Sequence, residues 1–264
     1  MDTSEIGKRM KQYEDVNNLR LIDKLPVVIR LDGVNFHSFT KDMERPFDKI
    51  VTKSMQQTML KLCKAIPGCV FGYTQSDEIT LVLADYKNPL SQPWYGYVKR
   101  KLESVTASMT TKFFDNSYTS ELVNNIDALK ENDVDVYGNK IGEAMFDCRA
   151  FNLPVHEVVN NLIWRQYDCM RNSVLAVGHM NFSHSELQNK SCNQIKEMLI
   201  SQKGIDWDKL PTNIRLGSCA IKSETRIPTD KNEDGFIMRD KWEIVNDIPV
   251  FSKNKEYINR VIRY

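Results

Sequence analysis

The chain of 264 residues has six cysteines (Cys63, Cys69, Cys148, Cys169, Cys192 and Cys219) but no C-x-x-C pair. A structural zinc site therefore has no support, and a disulfide framework is not expected in a chain this long. Most of the six read as small buried hydrophobes. The four histidines, His37, His156, His179 and His184, lack H-x-x-x-H spacing, and no nucleophile-elbow pattern is present. His156 and His179 accordingly read as packed or capping residues. No apolar run approaches the about 20 residues needed to span a bilayer. The first ten residues, Met1 to Met10, have no apolar core and carry acidic groups early, unlike a secretory signal or transit peptide. The expectation is a soluble, cytoplasmic protein with no membrane partner, and nothing in the N-terminus demands an organelle. Charge of one sign is also lacking: 36 Lys and Arg stand against 35 Asp and Glu, a net +1. Any nucleic-acid binding must then rest on a local basic patch.

What is present is a globular composition, 41% hydrophobic and 27% charged, with enough length for a substantial core. Two short acidic stretches stand out, Val28-Val-Ile-Arg-Leu-Asp-Gly33 and Phe71-Gly-Tyr-Thr-Gln-Ser-Asp-Glu-Ile79. In each, a carboxylate sits at the edge of a β-branched or aromatic run, the pattern of a strand end. Gly33 allows close approach to the backbone. Cys69–Tyr73 and Ile79–Leu83 read as a hairpin bending near Gln75, Ser76 and Asp77. If both strands end at one edge, Asp32, Asp77 and Glu78 converge and repel unless a cation sits between them. All-oxygen ligands suit Mg²⁺, which takes one or two carboxylates plus substrate phosphates. The plainer alternative is that acidic residues at a bend simply face water. The residues alone leave both open.

Along the chain, Ile6, Met10 and Tyr13 suit a short helix over 4–16. Pro26 opens the first strand, through Leu31. Asp48 can cap a helix with the stripe Val51, Met55, Met59 and Leu62. A loop at 88–93 precedes a second helix marked by Val98, Leu102, Val105, Met109 and Phe113. Residues 121–145 show no period and read as an irregular connection. Met145–Leu153 reads as a strand, 156–179 as a helix, 184–191 as a polar loop and 192–202 as a helix. The tail from Ser218 alternates β-prone and charged segments around a break at 229–235. The order β-α-β-β-α-β predicts an α+β fold, a ferredoxin-like palm whose antiparallel sheet carries its helices on one face. A C-terminal helical and β extension follows. The expected division is a palm-like catalytic unit over 1–154 and an RNA- and nucleotide-contacting extension over 155–264, packed together.

Four motifs occur in order: Arg30-Leu-Asp-Gly33 with Phe36-His37, Gly72-x-x-Gln75-Ser-Asp-Glu78, Phe146-Asp-x-Arg149, and Trp164-Arg-Gln-x-Asp168. Together they resemble the tRNA-histidine guanylyltransferase family, which adds nucleotides to RNA 5′ ends in the 3′-to-5′ direction. Met170-Arg-Asn-Ser173 stands where the eukaryotic enzymes have His-Ile-Asn-Asn. That departure, with Phe182-Ser-His-x-Glu-Leu-Gln-x-Lys-Ser191, is similar to the guanylyltransferase-like branch of template-dependent repair polymerases. The resemblance implies catalysis by Asp32, Asp77 and Glu78, with two Mg²⁺ ions held by Asp32, the Gly33 carbonyl and Asp77. It implies nucleotide contacts from Asn35, Phe36, His37, Arg45 and Ser76, with ATP, GTP and other nucleoside triphosphates as substrates. tRNA is the implied partner and a homotetramer the implied assembly.

RNA contacts are expected from Arg149, Arg165, Gln166, Arg171, Asn172, His184 and Lys190. Arg149 beside Asp147 also suits a plain ion pair, and Trp164 reads as core rather than as a base-stacking platform. Within the family the alternative is addition of a single G to histidine tRNA; outside it, a nucleotidyl cyclase on the same palm and a non-catalytic RNA-binding module are the two competing functions. The first lacks its motifs here. The second requires that losing Asp77 leave function intact.

Overall fold

The computed structural model describes residues 4–87, 92–228 and 236–262. The chain begins with α1 (Glu5–Asp15), capped by the Ser4 hydroxyl accepting from the Gly7 N–H. Then come β1 (Val27–Gly33), the single turn α2 (Phe36–Phe39), α3 (Lys49–Ala65), β2 (Cys69–Gln75), β3 (Glu78–Leu83), α4 (Lys99–Asn125), α5 (Glu131–Gly138) and β4 (Phe146–Asn152). The second half supplies α6 (Val155–Asn181), α7 (His184–Leu187), α8 (Cys192–Lys203), α9 (Thr212–Leu216), β5 (Ser218–Pro228), β6 (Phe236–Val245) and α10 (Glu256–Ile262).

Six strands form one antiparallel sheet in the order β4-β1-β3-β2-β5-β6. Alternation of side chains assigns its two faces. Val27, Ile29, Leu31, Ile79, Leu81 and Leu83 belong to one core with the buried residues of α3 and α4. Phe71, Tyr73 and Val82 belong to a second core with Val158, Val159 and Leu162 of α6 and Ile258 and Ile262 of α10. The expectation of helices on one face holds for α3 and α4, but α6 and α10 cover the other. This makes a three-layered arrangement. The extension also completes the sheet, since β5 pairs with β2.

Asp48 caps α3 as expected, its carboxylate accepting from the Val51 N–H at 2.8 Å. On α4 the expected Leu102 is buried, and from there the buried stripe runs through Thr106, Thr110, Phe114 and Tyr118, one residue on from the expected Val105, Met109 and Phe113. Thr106 and Thr110 can be buried because their hydroxyls donate to the carbonyls of Leu102 and Thr106 at 2.6 and 2.7 Å. The stretch expected to be irregular instead continues α4 to Asn125 and forms α5. Tyr137 anchors α5: it is buried, its hydroxyl donates to Asp48, and its carbonyl accepts from Tyr118 at 3.0 Å. The polar loop expected from His184 starts as α7, stabilised by a reciprocal Ser183–Glu186 capping box. The break at 229–235 and the centre of the loop at 88–93 lie outside the described residues. All six cysteines are free, and all but Cys192 are buried. Among the described residues no helix is long and apolar enough to cross a membrane.

Candidate active site

Strand β1 carries Asp32 to the sheet edge, where it faces Glu78 of β3 on one side and Asp147 of β4 on the other. Gln75 and Glu78 pair across the hairpin, leaving Ser76 and Asp77 as a two-residue turn. Ser76 has φ +50°. The Gly33 N–H donates to the Asp77 carbonyl at 3.1 Å, fastening the end of β1 to this turn. A Cβ at Gly33 would sit 2.3 Å from the Phe36 ring, so glycine is what lets α2 fold back over the strand end.

Four carboxylates, Asp32, Asp77, Glu78 and Asp147, thus share one edge in different surroundings. Burial pushes the Asp77 carboxyl up, its backbone and Ser76 hydrogen bonds oppose the shift, and Asp32 adds repulsion. Burial lifts Glu78 to about 7, against the pull of Arg165 and then Arg30, while Asp32 again raises it. Glu78 is buried within β3, and its Oε2 lies 3.2 Å from Arg165 Nη1. The geometry gives Asp32 and Asp77 the open side of the edge and ties Glu78 to α6. No group of three or more His, Cys, Asp or Glu residues is arranged to hold a metal among the described residues. A donor set of two carboxylates and a backbone carbonyl still fits Mg²⁺, which binds through few protein oxygens and completes its shell with phosphates and water.

Beside the edge opens a cavity of about 490 Å³ bordered by His37, Arg45, Ser76, Asp77, His179 and Met180. His37, Arg45 and Ser76, three of the expected nucleotide contacts, therefore come together. Asn35 has φ +56° and turns the chain into α2, its Oδ1 accepting from Ser38 at 3.2 Å. Phe36 reaches the cavity wall, but its ring is only 6% exposed and packs against Phe39, Phe114 and Phe146. It is a core residue. A smaller cavity of about 150 Å³ adjoins, lined by Phe47, Met55, Gln75 and Asn172 among others.

The expected RNA contacts divide. Arg165 is 6% exposed and Gln166 1%, so neither side chain is available to RNA. Arg165 pairs with Glu78 and, at 2.7 Å, with Asp168. Gln166 donates to the Pro249 carbonyl at 3.0 Å and accepts from the Phe251 N–H at 2.7 Å, pinning the C-terminal segment. Arg149 and Arg171 are exposed and paired with Asp147 at 3.3 Å and Asp168 at 2.6 Å. Asn172, His184 and Lys190 are exposed. His179 and His156 are exposed rather than packed, and His179 stacks on His184 with ring centroids 6.2 Å apart. Trp164, expected in the core, is 54% exposed.

Sequence reasoning missed the place of Asp147 opposite Asp32, which its position in the third motif could have suggested. It also missed His179 at the cavity, since a polar residue late in a helix carries no local signal.

The family model for tRNAHis guanylyltransferase (Thg1) matches residues 7–154. The chain is 26% identical to the probable tRNA(His) guanylyltransferase of Dictyostelium discoideum, over 93% of this chain and 96% of that one. It is 27% identical to the tRNA(His) guanylyltransferase of Schizosaccharomyces pombe, over 90% and 88%. A solved bacterial tRNA(His) guanylyltransferase (Thg1)-like protein in complex with ATP is 31% identical, covering 98% of this chain and 100% of that one, with a TM-score of 0.83. The tRNA(His) guanylyltransferase of Saccharomyces cerevisiae, at 18% identity and a TM-score of 0.66, shares the fold. The chain belongs to the tRNAHis guanylyltransferase (Thg1) family and is a nucleotidyltransferase.

Proposed function

We propose that this protein is a template-dependent 3′-to-5′ RNA nucleotidyltransferase that extends the 5′ ends of truncated tRNAs, acting on a ferredoxin-like palm. The observation that carries the reading is the fastening of β1 to the Ser76–Asp77 turn, which brings Asp32 near Asp77, itself on the wall of a cavity bordered by His37, Arg45 and Ser76. In this reading Asp32, Asp77 and the Gly33 carbonyl hold two Mg²⁺ ions, which when bound supply charge neutralisation at the attacking and leaving oxygens. Arg45, with its forked guanidinium, and the Ser76 hydroxyl hold the triphosphate of ATP or another nucleotide. His37 borders the same path. Glu78, tied to Arg165, fixes the hairpin that presents Asp77. In-line displacement at a phosphorus needs placement and charge compensation above all, and these residue types supply both.

The greater likeness to the bacterial Thg1-like protein than to the yeast enzyme supports the repair branch. Met170-Arg-Asn-Ser173 points the same way. The names of the curated relatives support the alternative, addition of a single G to histidine tRNA. A homotetramer with tRNA bound partly by the 155–264 extension belongs to the same proposal, carried by the family resemblance.

The two are separated by offering 5′-monophosphorylated tRNAs that lack their first nucleotide, with ATP and each nucleoside triphosphate in turn. Addition of whichever base pairs with the opposite strand, on several tRNAs, is expected. A single G added to histidine tRNA alone, whatever the opposing base, would overturn the repair reading.

A further inference from the structure

Trp164 is 54% exposed although its neighbour Arg165 is buried against Glu78. The Arg165 guanidinium lies 4.0 Å from the indole centroid and that of Arg30 5.9 Å. The Nε atoms of both arginines are buried with no hydrogen-bond partner among the described residues. Tyr167, 50% exposed, and Arg171 follow Trp164 at i+3 and i+7, so α6 presents an aromatic and basic stripe on one face. At its Trp164 end the stripe meets β1, the strand that bears Asp32, through Arg30. Arg30 precedes Asp32 by two residues on the same face of β1, about 7 Å along the strand. Arg149, exposed on β4, is the register partner of Arg30.

We propose that Trp164 is a stacking platform for an unpaired base of the RNA substrate, with Arg149 and Arg171 meeting the adjoining phosphates. The inference rests on the nucleotidyltransferase reading above and supplies an RNA contact in place of the buried Arg165 and Gln166. A π-surface flanked by cations complements a base and its backbone, the combination by which single strands are bound without sequence preference. Trp, Tyr and Arg also form the centres of protein interfaces, so a second copy of this chain is the competing occupant. Position favours RNA. The stripe adjoins the edge where Asp32 and Asp77 would receive the reacting end, and a second copy seated there would cover it.

The test uses the full chain with Trp164→Ala, Trp164→Leu and Trp164→Phe, and 5′-truncated tRNA as the probe. The Ala and Leu variants are expected to raise KM for RNA about 10-fold, within the range seen when one stacking partner is removed. The Phe variant recovers most of that loss, and KM for ATP stays unchanged in all three. An unaltered KM for RNA in the Ala variant overturns the proposal. A fall in kcat alone does so too, because it would mean that Trp164 only braces Arg165 and Glu78. A change in sedimenting mass would assign the stripe to contacts between copies. Quenching of indole fluorescence by the same tRNA, compared between wild type and Trp164→Phe, needs no turnover. Trp164-dependent quenching without any extension would sink the reaction reading and leave the platform standing. Quenching undiminished in Trp164→Phe would sink the platform.

Discussion

Replacing Arg165 with Met removes a cation that two carboxylates share and leaves an apolar side chain of similar length. Nη1 stands 3.2 Å from Glu78 Oε2, and Nη2 stands 2.7 Å from Asp168 Oδ2. Asp168 is 22% exposed and keeps Arg171 at 2.6 Å, so the loss falls on Glu78, whose side chain is 7% exposed. Removing one member of a buried pair costs about 3–5 kcal/mol, whereas an exposed pair is worth at most about 1 kcal/mol. Arg30 continues to favour the Glu78 carboxylate, which places the expected cost near the lower end, about 3 kcal/mol. The cost depends on pH, because the carboxylate needs its partner only when ionised. Urea unfolding of wild type and Arg165→Met at pH 8.5 and pH 5.5, with divalent metal chelated, should show the larger loss at pH 8.5. Combining the change with Glu78→Gln should recover much of it, as expected of a directly coupled pair. A loss under about 1 kcal/mol at pH 8.5, or strict additivity with Glu78→Gln, would refute a buried pair that holds α6 to the hairpin.

Two further outcomes follow from the same edge. Gly33→Ala would place a methyl group 2.3 Å from a ring held by Phe39, Phe114 and Phe146, so thermal unfolding should show a loss of about 1–3 kcal/mol; an unchanged midpoint would contradict the packing. Glu78, lifted by burial from 4.5 to about 7, stabilises the fold while it is protonated. Its contribution is complete below pH 4.5, declines as the pH rises and is gone above about pH 7, on the order of 3 kcal/mol in all. The stability of wild type relative to the non-titrating Glu78→Gln should fall across that window in chelated buffer, and a flat difference would show that Glu78 titrates normally.

The palm-like half was legible because its signals are local. Runs of β-branched and aromatic residues mark β1 and the hairpin strands, Asp48 announces α3, and a two-residue turn accounts for the hairpin that carries Asp77. The 121–145 stretch failed that approach, since Tyr137 fixes α5 through tertiary hydrogen bonds rather than a repeating stripe. Beyond Leu102 the α4 stripe was displaced by one residue because Thr106 and Thr110 satisfy their hydroxyls within the helix, which hydrophobicity does not register. On α6 the reading inverted burial: Trp164 looked like core and Arg165 and Gln166 like surface. Charge and amide groups can be interior when partners await them, here Glu78, Asp168, Pro249 and Phe251, and all but Asp168 are distant in sequence. Of the expected site, the carboxylates and the Ser76 turn were fixed by motif. The cavity that unites Arg45 with His37 and His179 depends on how α3 and α6 flank the hairpin, which no local pattern states.

The central claim is that the Asp32–Asp77 edge performs nucleotide addition at an RNA 5′ end. Its most direct test is extension of a labelled 5′-monophosphorylated tRNA lacking its first nucleotide, in Mg²⁺ with ATP and the complementary nucleoside triphosphate, by wild type and Asp77→Ala side by side. The account predicts extension by wild type, and none by a variant whose circular dichroism and RNA affinity are unchanged. Extension by the folded variant at the wild-type rate would contradict it.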